Sequence, residues 1–155
     1  MTGARALLLA MGCGFATPAA FAQADIALQA GGEKYQASGQ GECKAAPQAS
    51  IYGVSAAMYS VSHRAGKQSM NLTLWQPTNG AANMISLQLA TGSKSYVVDT
   101  VKAGAKRDTK GSGKASVEKS GAGGAIVIDA VAAGGEKITG KIQCRTFGGI
   151  QAEGG

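Results

Sequence analysis

AGGEKYQASGQGECK (30–44) and AGGEKITGKIQCR (133–145) carry one phrase twice, and each copy closes on a cysteine. An apolar or alternating run precedes each copy, DIALQA (25–30) before the first and AIVIDAVA (125–132) before the second. Alternation with a period of two is the mark of a strand. Gly31-Gly32 and Gly134-Gly135 then supply the positive φ that tight hairpin turns require. Each copy therefore reads as a β-hairpin whose return strand ends in G-x-x-x-C, from Gly39 to Cys43 and from Gly140 to Cys144. The first copy holds two more residues between its lysine and that glycine. Side-chain direction repeats every two residues, so the insertion leaves the cysteine on the same face. On that face Ala37, Gly39 and Gly41 are expected to accept the bulk of Ile138 and Ile142.

The chain between the copies keeps the same period. SMNLTLW (69–75) alternates Met70, Leu72 and Leu74 against Asn71 and Thr73, and MISLQLA (84–90) alternates Ile85, Leu87 and Leu89 against Ser86 and Gln88. The linker between them ends in Asn79-Gly80, a strong hairpin signal. SYVVDTV (95–101) and KASVEKS (114–120) are further strands, and IYGVSAAMYSVS (51–62) contains one more. No long segment of helical period follows the leader. The expected fold is all-β, an antiparallel β-sandwich or alternatively a small β-barrel, with the terminal hairpins joined by a disulfide.

The first residues point to export. Arg5 opens a short basic region, an apolar run follows from Ala6, and Ala20-Phe21-Ala22 fits the small-x-small rule for cleavage before Gln23. The apolar run is shorter than the roughly 20 residues that cross a bilayer, so no transmembrane segment is expected. Cys13 follows Ala10-Met11-Gly12, which lacks the leucine of the lipoprotein-processing sequence, and a lipid anchor there is disfavoured. The expected organisation is a signal peptide over 1–22, one β-rich domain over 23–147 and a frayed tail over 148–155. The compartment is then periplasmic or extracellular.

Removal of the leader leaves two cysteines, Cys43 and Cys144. An even pair in an exported chain reads as a disulfide, because that compartment is oxidising. Metal binding competes poorly, since there is no C-x-x-C and His63 is the sole histidine; no metal or cofactor is expected. A Ser-His-Asp triad would have to use His63, without a G-x-S-x-G elbow, and His63 reads instead as a solvated strand end. KGSGK (110–114) departs from a phosphate loop, with Asp108 where the first glycine belongs and Ala115 where magnesium needs a hydroxyl. The acidic residues are scattered, with no glycosidase-like spacing. Catalysis is thus the lesser expectation, its form a small secreted hydrolase with an unrecognised site.

Charge points toward a partner. Loss of Arg5 with the leader leaves 14 basic residues against 9 acidic. Lys102, Lys106, Arg107, Lys110 and Lys114 crowd one glycine-broken segment, which reads as an exposed basic loop. Such a loop attracts anionic polysaccharide or lipid headgroups, or equally keeps a glycine-rich protein soluble. Nucleic acid is disfavoured, because no aromatic is interleaved for base stacking. Trp75 lies on the strand face opposite Met70, Leu72 and Leu74, a candidate contact for a sugar or an envelope protein if that face is open.

IALQAGGEKYQASGQGEC and GSGKASVEKSGAGGAIVIDAV…ITGKIQC together resemble the small two-cysteine lipoprotein antigens of mycobacteria. The resemblance implies an exported, non-enzymatic β-rich domain displayed at the bacterial cell envelope. It carries over no catalytic or binding residue. The chain departs from that pattern in lacking a lipidation box and the Ser/Thr-rich linker after it.

Overall fold

A computed structural model describes residues 23–102 and 108–150. Its strands are β1 (Gln23–Ala30), β2 (Glu33–Ile51), β3 (Val54–Ala65), β4 (Gln68–Pro77), β5 (Met84–Thr91), β6 (Lys94–Asp99), β7 (Ser112–Ser120), β8 (Gly123–Val131), β9 (Lys137–Cys144) and β10 (Gly148–Gly149). Nine of them form one antiparallel path, β6-β5-β4-β3-β2-β1-β9-β8-β7. The sheet curls until its two ends nearly meet, as in the barrel alternative. The signal-peptide and Cys13 readings lie outside the described residues.

Alternation drives the curl. Ile26 and Leu28 of β1, Tyr59 and Val61 of β3, Met70, Leu72 and Leu74 of β4, Leu87 and Leu89 of β5, and Ile126 and Ile128 of β8 all face one interior and are almost wholly buried. A sheet with one apolar face must cover it, and closing upon itself does so without a second layer.

Nine strands is an odd number, so the two ends of the path, β6 and β7, run in the same direction. They cannot close the barrel by antiparallel pairing. The returning connection fills the seam instead, where Asp99 and Lys110 exchange backbone hydrogen bonds of 2.7 and 2.9 Å. Ala133 N donates to Val97 O at 2.9 Å beside it. Near the β1–β2 turn, Glu33 accepts from Thr91 Oγ1 at 2.5 Å and pairs with Lys94 at 2.8 Å, which ties β2 to the distant β5–β6 hairpin.

The repeated phrase forms two hairpins, β1–β2 and β8–β9, as expected, and they are joined side by side through β1 and β9. Cys43 and Cys144 are bonded, with Cα atoms 6.0 Å apart, and both are buried. The packing expectation is corrected. β1 lies between the two copies, β2 and β9, so the space left by the small residues is taken by β1 and not by the other copy. A Cβ at Gly41 would stand 2.8 Å from Ala24 Cβ, and one at Gly140 would stand 2.2 Å from Ala27 O.

The two inserted residues of the first copy have a visible destination. Ala24 pairs with Gly41 and Ile26 with Ala37, so Ser38, Gly39 and Gln40 face the single residue Asp25. The Asp25 carboxylate accepts from Ser38 Oγ at 2.7 Å and from Gly39 N at 2.9 Å. These bonds, with Arg145 nearby, hold its pKa below the ordinary value. The bulge absorbs the insertion and preserves the inward direction of Cys43.

β2 runs 19 residues, far beyond a typical strand, because it serves two neighbours in turn. Glu42 pairs with Gln23 of β1 and with Ser62 of β3, and marks the hand-over. Beyond it the ladder to β3 is interrupted between Ala46 and Ala49, where Pro47 has no N–H to give. The edge that β1 leaves open past Glu42 is taken by β10, which pairs in parallel with Lys44 and Ala45. The expectation of fraying from residue 148 is therefore corrected for Gly148, Gly149 and Ile150, whose N–H donates to Ala45 O at 3.2 Å. Residues 151–155 lie outside the described residues.

Candidate functional site

The basic segment begins where β6 ends, and its first residues are pinned. Thr100 N donates to Ile85 O at 2.8 Å, Thr100 Oγ1 accepts from Ile85 N at 2.9 Å, and Asp99 Oδ1 accepts from Val101 N at 3.1 Å. The pinning drives Val101 into a small cluster with Ile51 and Met84, on the outside of the barrel. Lys102, next in the chain, is exposed, and so is Lys110, beside Asp99 on the returning limb. Lys106 and Arg107 lie outside the described residues. Lys114 sits on β7 opposite Asp129 of β8, on the face away from buried Ala115.

Trp75 does lie opposite Met70, Leu72 and Leu74, and its face is partly covered. In register it stands between Met58 of β3 and Met84 of β5, and its ring packs on the outer cluster with Val54. The ring stays half-buried. An open groove of about 410 Å³ runs along it, lined by Tyr52, Met58, Ser50, Ser86 and Asp99 with Val101. Tyr52 is the most exposed large apolar side chain among the described residues, at 60 %. It holds φ at 47°, alone among described residues other than glycine, a conformation that costs free energy in a bulky residue. That turn holds the phenol ring out beside the groove.

The basic segment thus leaves the groove by way of Val101 and Asp99, which line it, without a lysine in the lining. The residue that seals the floor beneath Trp75, Val101, is covalently joined to Lys102, and Asp99 in the groove is bridged to Lys110. An aromatic wall, short hydroxyls and a carboxylate suit a polar ligand with apolar faces, while Lys102 lines a neighbouring cleft with Asn79, Asn83 and Met84. Nothing in the spacing of Tyr52 and Trp75 announced their proximity, because the β2–β3 turn that carries Tyr52 was not separable from the strand around it.

No family model, curated protein or solved structure matches this chain.

His63 lies elsewhere, and the solvated strand end expected for it is corrected. It is 5 % exposed, inside the barrel, with Nδ1 2.5 Å from the Tyr35 hydroxyl. It turns inward because it continues the run Tyr59, Val61. β3 outlasts its pairing with β2, so a polar crevice lined by Gln40, Glu42, Arg64 and Asn71 opens where the two strands part, next to His63. Burial lowers the His63 pKa and raises that of Tyr35 to about 12. Among the described residues, no group of three His, Cys, Asp or Glu is placed to hold a metal, and no helix is long and apolar enough to cross a membrane.

Proposed function

We propose that this is an exported bacterial binding protein that holds an anionic polysaccharide of the envelope along the Tyr52–Trp75 groove. The observation that carries the reading is the groove itself, in which the exposed Tyr52 ring and the half-buried Trp75 ring line one cleft with Ser50, Ser86 and Asp99. Its lining residue Val101 precedes Lys102 in the chain, and Asp99 is bridged to Lys110. Sugar rings lay their C–H faces on Tyr52 and Trp75, while Ser50, Ser86 and Asp99 take their hydroxyl groups. The lysines meet the acidic substituents. Export rests on the leader pattern of residues 1–22 and on the Cys43–Cys144 pair, since disulfides persist in oxidising compartments. The binding role is non-enzymatic, in keeping with the resemblance to envelope antigens.

Trp75 is the only tryptophan of the chain, so its fluorescence reports the groove directly. Titration with a uronic-acid oligosaccharide should change its emission at low salt. Screening over about 8 Å at physiological ionic strength should weaken the binding as salt rises. Tyr52→Ala and Lys102→Ser should each lower the affinity at unchanged melting temperature. An equal response to a neutral oligosaccharide would remove the lysines from the site. A response to anionic vesicles alone would replace the polysaccharide with a lipid surface, and silence toward all three would overturn the proposal.

A further inference from the structure

Asn79-Gly80 does not close a tight turn. β4 ends at Pro77 and β5 begins at Met84, and Trp75 with Met84 is the last pair of their ladder. Residues 78–83 connect the strands as an open loop held at both ends. Thr78 N donates to Ser55 O at 3.0 Å, and Asn83 Nδ2 donates to Ala115 O at 3.0 Å. Asn79, Gly80, Ala81 and Ala82 between those anchors are exposed. Gly80 holds φ at +79°, and a Cβ there would meet nothing within 4 Å. Ala81 N donates to Asn79 Oδ1 at 3.0 Å.

We propose that Asn79 is a modification site, where the side-chain amide is lost spontaneously to water as the protein ages. The Gly80 nitrogen gives up its proton and attacks Asn79 Cγ. A bond forms between that nitrogen and Cγ, the Cγ–Nδ2 bond breaks, and ammonia leaves with the proton. Water then opens the cyclic imide. Attack at Cγ yields an aspartate, and attack at the main-chain carbonyl yields an isoaspartate, with the chain running through the side chain. No oxidant or reductant enters.

The loop favours each step. Glycine sets no side chain beside the attacking nitrogen, and the space around it is open. The Ala81 N–H is already bonded to the oxygen on which negative charge develops as Gly80 adds, a small oxyanion hole. Residues 79–82 belong to no strand, so closing the imide breaks no sheet ladder. The other two asparagines of the chain, Asn71 and Asn83, are each followed by a buried, bulky strand residue, Leu72 and Met84.

The product changes the charge of a cleft. Asn79 and Lys102 line one open cleft of about 700 Å³ with Asn83 and Thr100. A carboxylate formed at position 79 shares that cleft with the Lys102 ammonium and opposes its attraction for anions. The reaction does not depend on what the Tyr52–Trp75 groove binds.

Incubation of the mature, disulfide-bonded chain at mildly alkaline pH, followed by tryptic mass spectrometry, tests the proposal. Cleavage after Lys67 and Lys94 leaves all three asparagines in one peptide, 68–94. Asn79 should gain the mass of an amide-to-acid change, as a mixture of aspartate and isoaspartate, while Asn71 and Asn83 keep their amides. The rate should rise in proportion to hydroxide, because the Gly80 nitrogen must lose its proton first. The aged protein should leave a cation exchanger early, beside Asn79→Asp, and Asn79→Gln should show no such shift. An amide at Asn79 that survives in the folded chain but is lost in urea would overturn the proposal. Loss at Asn71 and Asn83 at the same pace would overturn it as well.

Discussion

The Tyr35 hydroxyl and His63 Nδ1 stand 2.5 Å apart in a barrel interior that is otherwise almost entirely apolar, with their rings edge to face at 90°. β2 supplies one and β3 the other, at the level where those two strands have already parted. His63 Nε2 has no hydrogen-bond partner among the described residues. Two neutral rings thus satisfy most of each other's polarity, and neither tolerates charge.

This pair makes stability depend on pH at both ends. Burial depresses the His63 pKa below its ordinary 6.5, so the unfolded chain takes up the proton first. The stabilisation is complete above 6.5 and is lost as pH falls from there toward the folded value. Tyr35 acts in the opposite sense. Its pKa rises from 10.0 to about 12, so its share is complete below 10 and is lost as pH climbs through that interval. Melting curves of wild type and a Tyr35→Phe/His63→Met double variant should converge in slope near neutrality and diverge below pH 6.5, with wild type falling faster. Parallel curves would place His63 in contact with water.

Removing one member of the pair should cost more than removing both. His63→Leu leaves the Tyr35 hydroxyl buried without a partner, a loss of about 1–3 kcal/mol. Replacing both rings by apolar side chains of similar volume spares that penalty. Urea denaturation of His63→Leu and of the Tyr35→Phe/His63→Met double variant reads the difference.

The Cys43–Cys144 bond spans 101 residues. For a loop of this length the chain-entropy account gives roughly 4–5 kcal/mol, a large share of a small domain's stability. Cys144→Ser should lower the denaturation midpoint accordingly. Thiol titration of the unfolded, unreduced mature chain should find no free thiol, and two per chain would contradict the bond.

Glycines that look alike in the repeat should respond differently to substitution. Gly140→Ala drives a Cβ to 2.2 Å from Ala27 O and 2.8 Å from Leu28 Cα, backbone that cannot give way, and should cost about 3 kcal/mol or more. Gly32→Ala meets nothing within 4 Å and bears only the strain of φ at +86°, about 1 kcal/mol. Thermal denaturation of both variants checks the ordering.

The outer cluster can be tested without any ligand. Val101→Asp removes the apolar contact under the Trp75 ring while leaving the barrel interior intact. Trp75 emission should shift to the red with far-ultraviolet circular dichroism unchanged. Unshifted emission would mean that Val101 does not cover the ring.

Much of this fold was legible in the sequence because strand alternation is local. Met70, Leu72 and Leu74, or Ile85, Leu87 and Leu89, declare their buried face to anyone counting by two, and the repeated glycine turns declare the hairpins. The inward direction of Cys43 followed from parity alone, since two inserted residues cannot change it. What the chain order could not state was which strands become neighbours. β1 enters between the two copies of the phrase, so Gly140 makes room for Leu28 of β1 rather than for the first copy's own strand, β2. His63 looked like a strand end because it directly follows the strand-like run AMYSVS (57–62), yet the strand runs on and the curl of the sheet carries it inside to Tyr35. Tyr52, Trp75, Asp99 and Val101 meet because backbone hydrogen bonds at Thr100 and Asp99 fold a connection back over the outer face. Alternation is a property of a few consecutive residues, and closure belongs to all nine strands together; the candidate site is made where a connection folds back over the outside of the closed sheet.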